Sequence, residues 1–121
     1  MRRRALSDDQ LYEKMEQVLR AKQLYLQKQL TRDDLARELL TNRTYITRAL
    51  TGRGLSFPQF VNTFRTERAL SLMMGPEGAM LPPADIAEMS GFSSVDTMNR
   101  YIKKSAGTTA CAVRTRIREA D

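Results

Sequence analysis

Apolar and polar residues recur along the chain with a helical period. Between Leu11 and Leu19, apolar residues return every three or four positions, which places them on one face of a helix. No stretch alternates apolar and polar residues over a length that would form a strand. The pattern predicts an all-α fold of about seven helices.

Residues that commonly cap helices mark where the first four helices begin. Ser7 opens a capping-box pattern, Thr31 precedes an acidic first turn, and Asn42 is a good N-cap for the third helix. Ser56, with a proline two residues later, opens the longest helix, which ends before GPEG at 75–78.

The third helix is predicted to end at the glycines of TGRG, residues 51–54. Its buried side is expected to comprise Tyr45, Ile46, Ala49 and Leu50. Three shorter helices are predicted downstream of the longest one. They lie at 83–90, within GFSSVDTMNRYIKK at 91–104, and after Gly107, where Thr108 or Thr109 opens the last.

Two segments of the chain repeat one another. Leu35 and Ala36 correspond to Ile86 and Ala87 at an offset of 51 residues. At an offset of 52, Asn42, Ile46, Arg48 and Leu50 correspond to Ser94, Met98, Arg100 and Ile102. Each segment is a short helix, a tight turn and a second helix, which is the outline of a helix-turn-helix. The turn of the second segment is one residue longer.

The solvent faces of the two second helices also correspond. Four positions at i, i+3, i+4 and i+7 are polar: Thr44, Thr47, Arg48 and Thr51 in one, and Asp96, Asn99, Arg100 and Lys103 in the other. Such faces are usually only solvated. Here an arginine recurs at one position among short hydrogen-bonding residues, which favours a face that binds a partner.

The composition points to an anionic partner. The 121 residues carry 20 lysines and arginines against 14 acids, a net charge of +6. Seven acids precede residue 40, whereas 43–68 holds five arginines and only Glu67 as an acid. Segregated charge of this kind suggests a basic, nucleic-acid-binding face.

Several kinds of site are excluded within this chain. There is no histidine and only one cysteine, Cys111, so neither a histidine acid–base site nor an internal disulfide can form. No window approaches the ~18 apolar residues of a membrane span. We therefore expect no enzyme activity, no cofactor, no metal and no membrane contact.

The longest helix suggests how two DNA-binding helices could act together. Its ~18 residues would span about 27 Å at 1.5 Å per residue. Major grooves on one side of B-DNA repeat every ~34 Å. One chain could then occupy two adjacent major grooves, and the site would be asymmetric because the two segments differ.

The second segment resembles the DNA-binding domain of the AraC/XylS family of bacterial transcription regulators. The stretch IAEMSGFSSVDTMNRYIKKSAGTT, residues 86–109, follows the family pattern, and Arg114 matches the arginine that usually closes it. In the linker helix the family spacing is met by Asn62, Arg65, Ala69 and Leu72. The resemblance covers roughly residues 31–114.

This sequence departs from the family pattern at several positions. Met98 and Ile102 stand where phenylalanines are common, Ala110 replaces a proline, and Val113 replaces an aromatic residue. Leu40 occupies a turn position that usually carries glycine. A leucine at positive φ would be strained there.

The resemblance implies an AraC-type DNA-binding domain over 1–121, with helix-turn-helix subdomains at 7–55 and 82–119 and a linker helix at 56–75. The implied partners are double-stranded promoter DNA and RNA polymerase, in the bacterial cytoplasm and on the nucleoid when bound. Most members carry a sensing domain before this module. The chain is then either a piece of a larger regulator, with a sensing or dimerisation domain elsewhere, or a small stand-alone regulator.

The polar faces supply the candidate base contacts. Arg48 and Arg100 are expected to contact guanine O6 and N7, with a phosphate contact or an intramolecular ion pair as alternatives. Thr44 and Thr47 would contact a base edge or a thymine methyl, and Asn99 an adenine.

Two residues at the start of the sixth helix have open alternatives. Asp96 would accept a hydrogen bond from cytosine N4, favour the helix start through the dipole, or cap reciprocally with Ser93. Val95 would face a thymine methyl or the core.

Seven basic residues are candidate phosphate contacts: Arg43, Arg53, Arg65, Arg68, Lys103, Lys104 and Arg114. For the two linker-helix arginines, pairing within the protein is the alternative. The competing function is a helical protein-interaction domain with non-specific nucleic-acid affinity. Its apolar surface would comprise Met73, Met74, Met80 and Leu81.

Overall fold

The structure is a computed structural model that describes residues 6–106. The six α-helices in this range are α1 (Asp8–Lys22), α2 (Arg32–Glu38), α3 (Arg43–Thr51), α4 (Phe57–Met74), α5 (Pro83–Ser90) and α6 (Val95–Ala106). No strand occurs between residues 6 and 106, and the predicted all-α class is confirmed. A short 3-10 helix at Leu24–Leu26, which the sequence did not predict, lies between α1 and α2. The seventh predicted helix falls outside the described residues.

Reciprocal side-chain caps start α1, α2 and α4 where the sequence predicts them. The Ser7 hydroxyl accepts from the Gln10 N–H at 3.1 Å, and the Gln10 side chain accepts from the Ser7 N–H at 3.0 Å. Ser56 and Gln59 make the same pair of bonds at 3.2 and 2.9 Å. α2 begins in the same way at Thr31. Each pair satisfies N–H groups that a helix start otherwise leaves free.

The chain divides into two compact units, Met1–Val61 and Asn62–Asp121, and the boundary falls within α4. In the first unit, α1 and α2 both pack against α3. The core of the first unit includes Leu11, Met15, Leu19, Leu35, Ile46, Leu50 and Phe60, each at most 5 % exposed. This packing fixes one side of α3 and leaves its opposite side to solvent.

The second unit has its own apolar core. It comprises Ala69, Met73, Ile86, Ala87, Phe92, Met98 and Ile102. Met98 and Ile102 are fully buried, so aliphatic side chains anchor α6 at the two positions where the family commonly has phenylalanines. Tyr101 packs against the same core, with its ring centroid 6.3 Å from that of Phe92.

The turns of the two helix-turn-helix segments share one hydrogen-bond pattern. The Thr41 N–H donates to the Ala36 carbonyl at 2.9 Å, and the Phe92 N–H donates to the Ala87 carbonyl at 3.0 Å. These pairs correspond at the offset of 51 residues. Such a bond, reaching back five residues, closes the end of a helix in a Schellman motif.

The same two turns differ in the residue that takes up positive φ. Leu40 has φ of 55° in the first segment, and Gly91 has φ of 89° in the second. The predicted strain at Leu40 is therefore present, since a side chain in the left-handed region clashes with its own backbone. The Leu40 side chain is 77 % exposed, so burial offsets little of this strain.

The extra residue of the second turn is Ser93. The Asn42 side chain caps α3 by accepting from the Tyr45 N–H at 3.1 Å. The Ser94 hydroxyl caps α6 by accepting from the Thr97 N–H at 3.1 Å. These two caps correspond at an offset of 52 residues, whereas the turn hydrogen bonds correspond at an offset of 51. The inserted residue therefore lies between the turn bond and the cap. Ser94, and not Ser93, is the N-cap, which removes reciprocal capping between Asp96 and Ser93.

Candidate nucleic-acid interface

The outer side of α3 forms an open groove of about 410 Å³. Its lining consists of Arg43, Thr44, Thr47, Arg48, Thr51 and Gly52. The structure thus brings together four of the predicted contact residues of the first unit on one surface. The groove exists because α3 buries only Ile46, Ala49 and Leu50 against α1 and α2.

The prediction that Tyr45 is buried was wrong. Tyr45 is 46 % exposed, because it lies about 100° around the helix from Ile46, at the edge of the side of α3 that α1 and α2 cover. The ring instead lies beside Arg48, whose guanidinium carbon is 5.7 Å from the ring centroid. That distance is within the range of a cation–π contact.

Arg48 also forms an ion pair with the first turn of α1. One terminal guanidinium nitrogen lies 3.6 Å from a carboxylate oxygen of Asp8. The intramolecular ion pair that the sequence left open is therefore present. The Arg48 side chain nevertheless remains 63 % exposed, so other N–H groups of the guanidinium face solvent.

The two other candidate cations of the first unit also have carboxylate partners. Arg53 lies 3.3 Å from Asp9, and its guanidinium carbon lies 4.0 Å from the centroid of the Tyr12 ring. Burial raises the pKa of the Tyr12 hydroxyl, as does Glu16, and Arg53 opposes that shift. Arg43 lies 4.0 Å from Asp33.

The outer side of α6 carries the corresponding residues of the second unit. Arg100 is exposed and donates to the Thr97 hydroxyl at 3.3 Å. Asn99 is half-buried, and its side-chain oxygen has no hydrogen-bond partner within residues 6–106. Lys103 and Lys104 are exposed in the last part of the helix.

Two candidate base-contact residues, Val95 and Asp96, lie in the first turn of α6 and differ in their exposure. Val95 is half-buried and packs against the core of the second unit, as its alternative assignment expected. Asp96 is exposed in the first turn, where a carboxylate interacts favourably with the helix dipole. This placement still leaves Asp96 accessible to a base edge.

Arg65, a candidate phosphate contact, is only 8 % exposed. Its guanidinium donates to the side-chain oxygen of Asn62 at 2.9 Å. Burial lowers the pKa of Arg65, while Tyr101 acts in the opposite direction. Burial and this bond favour the within-protein role over the phosphate contact.

The other two candidates in this group differ from Arg65. Arg68 is half-buried, and its Nε has no hydrogen-bond partner in the part of the chain that the structure describes. Arg114 lies outside the described residues, as does Cys111.

The sequence did not predict which residues surround Arg48. From the sequence alone, Asp8 and Asp9 indicate only a first helical turn that carboxylates favour through the dipole, and Tyr45 was predicted to lie in the core. The ion pairs join residues about 40 positions apart, and no local pattern signals such a contact. Seven of the 14 acids lie before residue 40, and this clustering was the one sequence feature that pointed toward such a contact.

The apolar surface of the competing hypothesis is smaller in the structure than predicted. Met73 is buried and Leu81 packs against the core of the second unit. Only Met74 and Met80, at 68 % and 86 % exposure, remain at the surface. No described helix combines the length and the apolar character that crossing a membrane requires.

Residues 35–116, more than half of the chain, match the model of a family described as a helix-turn-helix domain. No curated protein sequence matches the chain significantly.

Two solved structures are similar in fold. One is the C-terminal domain of the two-component response regulator yesN from Fusobacterium nucleatum, with a TM-score of 0.68 and 24% identity over 86% of this chain and 97% of that one. The other is a DNA-binding transcriptional dual regulator from Escherichia coli K-12, with a TM-score of 0.74 and 18% identity over 98% and 99% of the two chains.

Proposed function

The chain belongs to the AraC-type helix-turn-helix family, and from this premise we propose that it is the sequence-specific DNA-binding module of a bacterial transcription regulator. The observation that carries the proposal is the repeated polar face. Each unit presents an arginine at the same position of a helix that follows the same hydrogen-bonded turn. The similar structures come from a two-component response regulator and a DNA-binding transcriptional dual regulator, and the second of these supports the proposal.

In this proposal α3 and α6 are the recognition helices and enter the major groove of double-stranded DNA. Arg48 and Arg100 donate to guanine O6 and N7, a pairing that the major groove presents in a unique pattern. The remaining base contacts come from Thr44 and Thr47 on α3 and from Asn99 on α6. Asp96 would accept from cytosine N4.

The two units read different sequences. At corresponding positions α3 carries Thr44 and Thr47, whereas α6 carries Asp96 and Asn99. Threonines and an acid–amide pair favour different base edges. One chain occupying two adjacent major grooves would therefore recognise an asymmetric promoter site.

The exposed cations at the ends of these faces supply affinity. Arg43 and Arg53 in the first unit, and Lys103 and Lys104 in the second, would contact phosphates without reading sequence. N–H groups at the starts of α3 and α6 could add phosphate contacts. Membership of the family is also the ground for proposing RNA polymerase, and a sensing or dimerisation domain, as partners.

Single substitutions of the two arginines test the proposal. Arg48→Ala and Arg100→Ala should each weaken binding to the preferred duplex by about 1–3 kcal/mol. Each should relax base preference in a different half of one site. Lys103→Ala is the control, because loss of a phosphate contact should weaken binding to all duplexes alike and reduce the salt slope by about 1.

Two results would count against the proposal. Equal affinity of the unmodified chain for all duplex sequences would reject sequence-specific recognition. A salt slope near zero with random duplex DNA would favour the competing protein-interaction function, with Met74 and Met80 as its surface.

A further inference from the structure

The two recognition helices differ in how their arginines are held. In the first unit, Arg43, Arg48 and Arg53 each have a carboxylate within 4.0 Å, from Asp33, Asp8 and Asp9 respectively. In the second unit, the corresponding Arg100 bonds only to a threonine hydroxyl among residues 6–106. Among residues 6–106, only the first unit therefore places acids within ion-pair distance of the arginines and lysines that would meet DNA.

Arg48 is constrained from two sides. The Asp8 carboxylate lies 3.6 Å from one terminal nitrogen, and the Tyr45 ring lies 5.7 Å from the guanidinium carbon. A guanidinium has five N–H donors in a planar fork, and these two contacts leave most of them available. Since Arg48 also lines the groove of α3, the available donors lie beside the proposed base-contacting surface.

We propose that Asp8 is a specificity-determining residue, which acts as a positioning residue for Arg48. This inference rests on the proposed function and names how one half of the site gains its selectivity. Asp8 holds the guanidinium toward the base edges and disfavours its use as a general phosphate contact.

The proposed effect of Asp8 on specificity is electrostatic. A phosphate is an anion, so it competes with the Asp8 carboxylate for Arg48 and is repelled by that carboxylate. Guanine O6 and N7 are neutral acceptors that can bind Arg48 while the carboxylate stays in place. Removing the charge of Asp8 should therefore help non-specific binding more than specific binding.

The expected effect is modest because the ion pair is partly exposed. The Arg48 and Asp8 side chains are 63 % and 45 % exposed, so solvent screens their attraction. We expect a change of about two- to fivefold in the ratio of specific to non-specific affinity. The change should be confined to the half of the site that α3 reads.

The experiment compares Asp8→Asn with the unmodified chain on the selected duplex, on single-base variants of each half-site, and on random duplex DNA. The substituted chain should bind random duplex DNA more tightly and discriminate less in the α3 half, with unchanged discrimination in the α6 half. Asp8→Glu, which keeps a carboxylate, should restore much of the discrimination.

Asp9→Asn is the matched control. Like Asp8→Asn, it removes a first-turn carboxylate that interacts favourably with the α1 dipole. The ion-pair partner of Asp9, however, is Arg53, a proposed phosphate contact. It should raise affinity for all duplexes without altering base preference. Thermal unfolding of each variant shows whether the fold is retained.

Three outcomes would overturn the inference. One is an unchanged specificity ratio for Asp8→Asn, which would make Asp8 a general mask of Arg48. Another is an equal loss of discrimination for Asp9→Asn. If the unmodified chain itself lacks sequence preference, both the inference and the proposed function fail; if it has one and Asp8→Asn keeps it, only the inference fails.

Discussion

Replacing Met98 by alanine should release the anchor of α6. Met98 is fully buried in the core of the second unit. The substitution removes three heavy atoms, whose transfer from water is worth about 2 kcal/mol at ~0.8 kcal/mol per methylene-sized group. The cavity that remains adds to this, so the expected loss in the free energy of unfolding is about 2–5 kcal/mol.

Two further substitutions should give smaller losses in the free energy of unfolding. Ile102→Val removes one methyl group from a fully buried side chain and should cost about 0.5–1.5 kcal/mol. Met80→Ala is the matched control, because Met80 is 86 % exposed and its loss should change stability by less than about 0.5 kcal/mol.

Urea unfolding monitored by circular dichroism measures all three variants. The midpoint should fall in the order Met80→Ala, Ile102→Val, Met98→Ala, with little change in the slope of unfolding free energy against urea. A loss below about 1 kcal/mol for Met98→Ala would refute the assignment of this core, since no burial of that size could then be present. An equal loss for Met80→Ala would refute it as well.

Three other predictions follow from single contacts. Ser94→Ala should lower the free energy of unfolding by about 1 kcal/mol, because α6 loses its N-cap. Ser93→Ala should lower it by less than about 0.5 kcal/mol in the same unfolding assay. Hydrogen bonds at the N-cap of α2 hold the pKa of Asp34 below its ordinary value, so its stabilisation is complete above the unfolded-state pKa and is lost as the pH falls through the folded-state pKa. The difference in unfolding free energy between the unmodified chain and Asp34→Asn should shrink as the pH is lowered from 7 to 2. A difference that stays constant over this range would contradict the prediction. Arg65→Ala should cost about 1–3 kcal/mol in stability and leave the salt slope of DNA binding unchanged, while Lys103→Ala should show the reverse.

The features that the sequence predicted well depend on neighbouring residues. The caps at Ser7, Asn42 and Ser56 each join residues three apart, and the buried stripes follow the helical period. The strain at Leu40 was also predictable, because the family that the sequence resembles usually carries glycine at this turn position. Local chemistry determines all of these features.

The features that the sequence did not predict depend on tertiary packing. The exposure of Tyr45 depends on how α1 and α2 cover α3, which no helical period specifies. The burial of Arg65 depends on the packing of the second unit around α4. Likewise, the ion pair between Asp8 and Arg48 forms only once α1 lies against α3.

One measurement tests the central claim most directly, namely selection of preferred duplexes from a random pool by the unmodified chain. Two different recognition helices on one chain predict a single bipartite motif with unlike halves, about one DNA turn apart. A guanine is expected in each half, and Arg48→Ala and Arg100→Ala should each erase the preference in one half. A pool without enrichment, or a symmetric motif with identical halves, would contradict the account.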